Sequence, residues 1–232
     1  MKRFYSDVSV AASETGHEIL LDGRSVKTPQ RNGLVLPTRA LAEAISKEWA
    51  GQGDKIDPAA MPFTALAQGT IDMVATDRMR IIDRIVAFGE SDMLCYRADG
   101  GQAELMAEQA EAWDPILAWA RSRYDVHFHV VEGIVHQPQP PQTLARLRTA
   151  VAAQDDFRLA AMLSAVGLAG SLVLTLALVE QVHPPEALWR HANLEELWQE
   201  TQWGVDELAA GRRDQRGTEW ANAAKFMRLL RE

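Results

Sequence analysis

The sequence predicts an α+β protein with a small β-rich N-terminal domain and a larger, mainly α-helical C-terminal domain. In the first 36 residues, apolar positions alternate or cluster between turn signals, which is typical of strands. Most of the later chain repeats apolar residues at helical spacing. The loop KIDPAAMPF at residues 55–63 separates the two patterns. We therefore place a β-rich domain with one helix at residues 1–60 and a helical domain at residues 61–232.

The N-terminal strands are divided by turn sequences. Asp22 and Gly23 lie between EILL and RSVKT and are typical of a two-residue hairpin turn. RNG at residues 31–33 is expected to close a second hairpin. Pro37 ends the strand pattern, and Thr38 has a side chain suited to a helix N-cap. A helix is therefore predicted in RALAEAISKEWAGQG, whose apolar residues recur at helical spacing.

The remaining chain is expected to be mostly helical. The predicted elements are a helix at 65–88, a helix at 102–123, a strand or ribbon at 125–135, a helix at 143–153 and a final helix pair from Ala187. Pro115 lies inside the second helix and predicts a kink. The proline-rich linker HQPQPPQ follows the ribbon.

An uncharged run of 21 residues, from Leu159 to Val179, is long enough to cross a bilayer. Its glycine, serine and threonine residues and the lack of a flanking aromatic belt favour buried helices, with a break between Gly167 and Gly170. We therefore expect no stable membrane insertion. A membrane-associated protein is the alternative that this run leaves open.

The composition limits the partners and the compartment. The formal net charge is -8, so we expect no nucleic-acid partner, because a phosphate backbone attracts a positive surface. The single cysteine, Cys95, cannot form an internal disulfide and suits a reducing compartment. MKRFYSDVSV has neither the apolar stretch of a signal peptide nor the pattern of a transit peptide. These features are typical of a cytoplasmic protein or of an already mature chain.

Motifs of known catalytic chemistry are missing from the sequence. It has no Walker loop, dinucleotide-binding glycine fingerprint, GxSxG elbow, HExxH pair or paired CxxC. We therefore predict no catalytic residue, no cofactor and no metal ion. The alternative is a small-molecule enzyme that uses Cys95 or the histidines at 127, 129 and 136. A lone cysteine among apolar neighbours is more typical of a buried side chain.

The segment LEELWQETQWG at residues 194–204 is predicted to form an amphipathic helix. The stripe expected to face the core consists of Leu194, Leu197, Thr201, Val205 and Leu208. The residues expected on the polar face are Glu195, Gln199, Gln202 and Asp206, with Trp198 beside them. Aromatic rings next to hydrogen-bonding side chains are typical of interface hot spots, so we predict that Glu195, Trp198, Gln199 and Gln202 bind a partner protein.

Long segments of the chain, in the same order, resemble the assembly chaperones for the alpha subunit of the ATP synthase catalytic head, the "ATP twelve" family. They include RFYSDVSV, ILLDGRSVKTPQRNGLVLPTRALAEAISKEW, DMLCYRAD, GSLVLTLAL and LEELWQETQWG. The resemblance implies an ATP-independent chaperone that binds the unassembled alpha subunit and shields its beta-facing surface. It places this chaperone in the bacterial cytoplasm or, for a mature eukaryotic chain, in the mitochondrial matrix. It also implies that Glu195 is the functionally important acidic residue. After Gly204 the chain departs from the family pattern, so no partner contact of the family is assigned to later residues. We expect the chaperone itself to be a monomer.

Overall fold

The computed structural model describes residues 1–231 and confirms the α+β prediction, since an antiparallel N-terminal sheet precedes a mostly helical chain. The strands are β1 (Val8–Ser13), β2 (Gly16–Leu21), β3 (Arg24–Ser25), β4 (Val35–Leu36), β5 (Tyr96–Arg97) and β6 (Val131–Glu132). The helices are α1 (Arg39–Ala50), α2 (Pro62–Gly69), α3 (Arg78–Ala87), α4 (Ala103–Tyr124), α5 (Pro141–Ala152), α6 (Asp156–Ala169), α7 (Leu172–Val179), α8 (Pro185–Ala192), α9 (Leu194–Trp203) and α10 (Glu207–Leu229).

β2 is the central strand of the N-terminal sheet. It pairs along its whole length with β1, while β3 and β4 pair one after the other with its second edge. Asp22 and Gly23 both have positive φ, 46° and 76°, and form the predicted turn between β2 and β3. The second predicted turn is also present, and the Thr28 amide donates a hydrogen bond to the Asn32 carbonyl across it at 2.9 Å. β4 nevertheless pairs with β2, because the two-residue β3 leaves the rest of that edge free.

The helix predicted at 65–88 is divided into three parts. α2 runs directly into a π-helical turn, Thr70–Val74, and α3 begins four residues later. The Asp72 carboxylate in this turn accepts hydrogen bonds from Thr28 Oγ1 at 2.6 Å and Asn32 Nδ2 at 2.9 Å. The π turn thus fixes the loop of the second hairpin, which a simple helical repeat could not predict.

The later helices follow the sequence patterns with two differences. α4 contains Pro115 in its interior, as predicted, and the kink at this proline stays a prediction. Of the ribbon predicted at 125–135, only β6 is a strand, and it pairs in parallel with β5. The predicted final helix pair is three helices, because the chain breaks between α8 and α9 and again at Gly204.

The uncharged run from Leu159 to Val179 forms parts of two helices. α6 ends at Ala169, and Gly170, at φ +64°, gives the predicted break before α7. All eight residues of α7 are buried. Within residues 1–231, no helix has the length and apolar character that crossing a membrane requires.

The fold consists of two compact units, each assembled from separate parts of the chain. The first contains residues 1–78, 155–161 and the chain from Asn222 onward; the second contains residues 79–154 and 162–221. In the first unit, the Phe226 ring lies 6.3 Å from that of Phe63, and Thr38 Oγ1 donates to the Leu229 carbonyl at 2.7 Å. The division into independently folding domains at residue 60 stays a prediction.

Candidate functional site

The predicted amphipathic segment forms α9, and glycine ends it. The Gly204 amide donates to the Glu200 carbonyl at 2.9 Å, and Gly204 has φ +87° and ψ 166°. The positive φ suits a residue without a Cβ, although the extended ψ differs from the left-handed helical conformation. α9 is therefore ten residues long and cannot carry a longer stripe.

The apolar stripe predicted from residue 194 to residue 208 is wrong in its second half. Leu194 and Leu197 are half-buried, but Thr201 is exposed, and Val205 and Leu208 are 64% and 78% exposed. The reason is that the helix ends at Gly204, so residues after it no longer follow the geometry of α9.

Glu195 and Gln199 lie one helical turn apart and line an open groove of about 490 Å³, which we call the Glu195 groove. Its other walls include Tyr96 and Arg97 of β5 and Ile134 in the loop after β6. All of these residues belong to the second unit. Two of the four predicted partner-binding residues are thus together in one concave surface.

The Glu195 side chain is exposed, but a buried glutamine holds it in place. Gln109 of α4 is fully buried, and its Nε2 donates to Glu195 Oε1 at 2.6 Å. Its own Oε1 accepts from the Ala98 amide at 2.7 Å. Gln109 is not among the residues predicted from the sequence to form the site. A sign of its role is present in the sequence, because Gln109 lies four positions from both Leu105 and Trp113. This spacing places its amide on the apolar face of α4.

Trp198 and Gln202 are placed apart from Glu195 and Gln199. Trp198 lines a different groove of about 670 Å³ between α4, α8 and α9, and its ring meets the exposed Trp203 edge to face at 6.1 Å. Gln202 is exposed near the end of α9, outside the lining of both grooves. The structure therefore does not join the four predicted residues into one patch.

The charges around α9 are distributed unevenly. Arg213 of α10 pairs with Glu196 at 3.0 Å and with Glu200 at 2.8 Å, and the hydrogen bond to Glu200 raises the pKa of Arg213. Arg97 is buried and donates to Asp114 at 2.6 Å. Burial lowers the pKa of Arg97, which the Asp114 charge opposes. Glu196 and Glu200 are thus paired with Arg213, whereas Glu195 lines the groove.

Comparison with known proteins identifies the family. The model of the family described as "ATP12 chaperone protein" matches residues 2–121, which is more than half of the chain. The chain belongs to the ATP12 chaperone family. ATP12 chaperones act on ATP synthase subunits during assembly.

Individual ATP12 proteins resemble the chain over most of its length. "Protein atp12, mitochondrial" from Schizosaccharomyces pombe is 23% identical over 223 residues, covering 90% of this chain and 75% of the relative. The crystal structure of Atp12 from Paracoccus denitrificans is 35% identical, with a TM-score of 0.94 over 99% of this chain and 98% of that one. An aspartate-to-lysine mutant of P. denitrificans Atp12p, also 35% identical, has the same TM-score of 0.94 over 99% of this chain and 97% of its own.

ATP12 is a chaperone family and not an enzyme family, so the alternative of a small-molecule enzyme is wrong. The buried environment of Cys95 agrees with this, because desolvation raises the pKa of the thiol and disfavours the reactive thiolate. His129 Nδ1 lies 3.1 Å from the Pro138 carbonyl, and His136 Nδ1 lies 3.0 Å from Tyr96 Oη. Among residues 1–231, no three potential ligands from His, Cys, Asp and Glu form a group that could hold a metal ion.

Proposed function

We propose that this ATP12 chaperone binds the unassembled alpha subunit of the ATP synthase catalytic head without ATP and shields its beta-facing surface until assembly. A subunit of an alternating ring has large apolar interfaces before its neighbours arrive, and such surfaces aggregate. A temporary cover needs no hydrolysis if the final neighbour makes better contacts than the chaperone. The same proposal includes a monomeric chaperone in the bacterial cytoplasm or mitochondrial matrix.

The observation that carries the proposal is the fixed orientation of an exposed acid. Glu195 is accessible to a partner, and the 2.6 Å hydrogen bond from the buried Gln109 restrains its carboxylate. A charged group that is already ordered loses less conformational entropy when it binds. We propose that Glu195 and Gln199 make the first contact with the alpha subunit, and that Trp198 and Gln202 contact it on other sides of α9.

The test uses the purified alpha subunit, warmed alone or with the chaperone while light scattering is recorded. We expect the wild-type chain to suppress scattering, and we expect Glu195→Lys to need at least a tenfold higher concentration for the same suppression. Glu219→Lys is the matched control, because Glu219 is an exposed acid of α10 in the same unit. Glu195→Lys removes the acceptor of the buried Gln109 amide, so we expect it to lose about 1–3 kcal/mol of stability, which unfolding measurements on both variants take into account. The fold of the P. denitrificans lysine mutant supports the expectation that a charge reversal can leave this fold intact.

Two results would contradict the proposal. If the wild-type chain neither suppresses scattering nor forms a complex with the alpha subunit, the client assignment is wrong. If Glu195→Lys binds as well as Glu219→Lys, the client assignment stands, but the contact lies elsewhere. Circular dichroism and thermal unfolding of each variant separate a lost contact from a lost fold.

A further inference from the structure

The segment between His129 and Gln139, which contains β6, has two of the most exposed apolar side chains in the described chain. We call its residues 130–138 the apolar loop. Ile134 is 97% exposed and Val135 is 78% exposed, and they are neighbours in sequence. Single exposed apolar residues are ordinary on a protein surface. Two adjacent aliphatic side chains at the edge of the Glu195 groove, which Ile134 itself lines, indicate an interaction surface.

Hydrogen bonds hold the apolar loop at its base and at its middle. The side-chain amide of Gln139 donates to the His129 carbonyl at 2.9 Å, and its oxygen accepts from the His129 amide at 2.9 Å. Gln139 is buried, so this pair closes the loop firmly. The Gly133 amide donates to the Arg97 carbonyl at 2.8 Å, immediately before Ile134. The exposed side chains are therefore presented by an ordered backbone.

The charge of the adjacent groove defines the kind of partner that fits. The charged side chains lining it are Arg97, Asp99 and Glu195. Arg97 is buried and paired with Asp114, so the two accessible charges, Asp99 and Glu195, are both negative. A surface with an apolar recess next to a lysine or arginine is complementary to this arrangement.

We propose that the apolar loop is a second contact for the client subunit, in which Ile134 and Val135 enter an apolar recess while Glu195 pairs with a basic side chain at its rim. This inference rests on the proposed function and adds a contact that charge alone does not supply. The occupant is the unassembled subunit and not a second copy of the chaperone. Apolar contacts at the centre of an interface and charges at its rim are the usual arrangement of protein complexes.

The experiment measures the affinity of the purified alpha subunit for full-length variants by biolayer interferometry. We expect Ile134→Ser combined with Val135→Ser to weaken binding at least tenfold, and Ile134→Met to bind as the wild type. The matched control is Val205→Ser combined with Leu208→Ser, since these are also exposed aliphatic residues of the second unit, outside the groove lining. We expect this control to stay within twofold of the wild type.

The possible failures are distinguishable. If the wild type binds but the loop variant binds equally well, the loop contact is wrong and the proposed function stands. If the wild type does not bind the alpha subunit, both are wrong. If analytical ultracentrifugation shows a wild-type dimer that the loop variant abolishes, with client affinity unchanged, the loop contacts a second copy and the proposal is overturned.

Discussion

The Gln109 side chain and the Glu195 carboxylate are joined by a 2.6 Å hydrogen bond across 86 positions of sequence. One partner is fully buried and the other is exposed. The buried partner is fixed in turn by the Ala98 amide. The orientation of the surface acid is thus determined by the core of α4, and changes in that core should be detectable in binding.

The first prediction concerns Gln109→Met. We expect it to weaken alpha-subunit binding about three- to tenfold, because Glu195 loses the donor that restrains it, a change of roughly 1 kcal/mol. Stability should fall by about 1–3 kcal/mol, because the Ala98 amide loses its acceptor. A double-mutant cycle with Glu195→Gln checks this by titration with the subunit. Strictly additive losses in affinity would show that Gln109 does not act through Glu195.

The second prediction concerns two glycines of α10. A Cβ on Gly217 would lie 2.8 Å from Trp189 Nε1, and this indole packs against the Trp220 ring at 5.8 Å. We expect Gly217→Ala to destabilise the protein by about 1–3 kcal/mol despite the better helix propensity of alanine. Gly211→Ala meets no atom within 4 Å and should stabilise by about 0.5–1 kcal/mol. Urea unfolding measures the free energy of unfolding of both variants. Equal changes in the two would refute the steric explanation.

The third prediction concerns pH. Asp92 is fully buried and accepts from the amides of Leu94 at 3.1 Å and Val173 at 2.9 Å. Burial raises its pKa to about 6 against these hydrogen bonds, which lower it. A carboxyl whose folded pKa is raised adds stability that is complete below its unfolded pKa and is lost as pH rises through about 6. The loss is on the order of 3 kcal/mol.

Asp92→Asn cannot titrate, so it removes this dependence. We expect the free energy of unfolding of the wild type, minus that of the variant, to fall between pH 4 and pH 7. Urea unfolding at several pH values in this range measures the difference. A constant or rising difference would mean that Asp92 remains ionised in the folded state throughout.

Local signals in the sequence predicted several elements correctly. Asp22 with Gly23 and the Thr38 cap depend on residues within a few positions of each other, so their patterns are readable without a structure. The Gly170 break belongs to the same group. The confirmed fold class follows from these patterns, because strand-like and helix-like periodicities occupy different parts of the chain.

The incorrect predictions from the sequence lie where a tertiary contact or a backbone break interrupts a continuous apolar periodicity. Apolar spacing suggested a stripe through Leu208, but the stop at Gly204 turns the later residues to solvent. The same applies to the π turn around Asp72, where side chains of a distant hairpin satisfy the carboxylate. Gln109 is comparable, since its role depends on a partner in another helix.

The packing of the chain end into the first unit has a consequence for the synthesis of the chaperone. Thr38 contacts the Leu229 carbonyl, a partner 191 positions away, and Phe226 packs near Phe63 in the same unit. At translation rates of roughly 5–20 residues per second, about 10–40 s pass between the synthesis of Thr38 and the synthesis of Leu229. Until then the Phe63 ring of α2 lacks its neighbour Phe226. The first unit of this ATP12 chaperone is therefore assembled only after Phe226 and Leu229 have been synthesised.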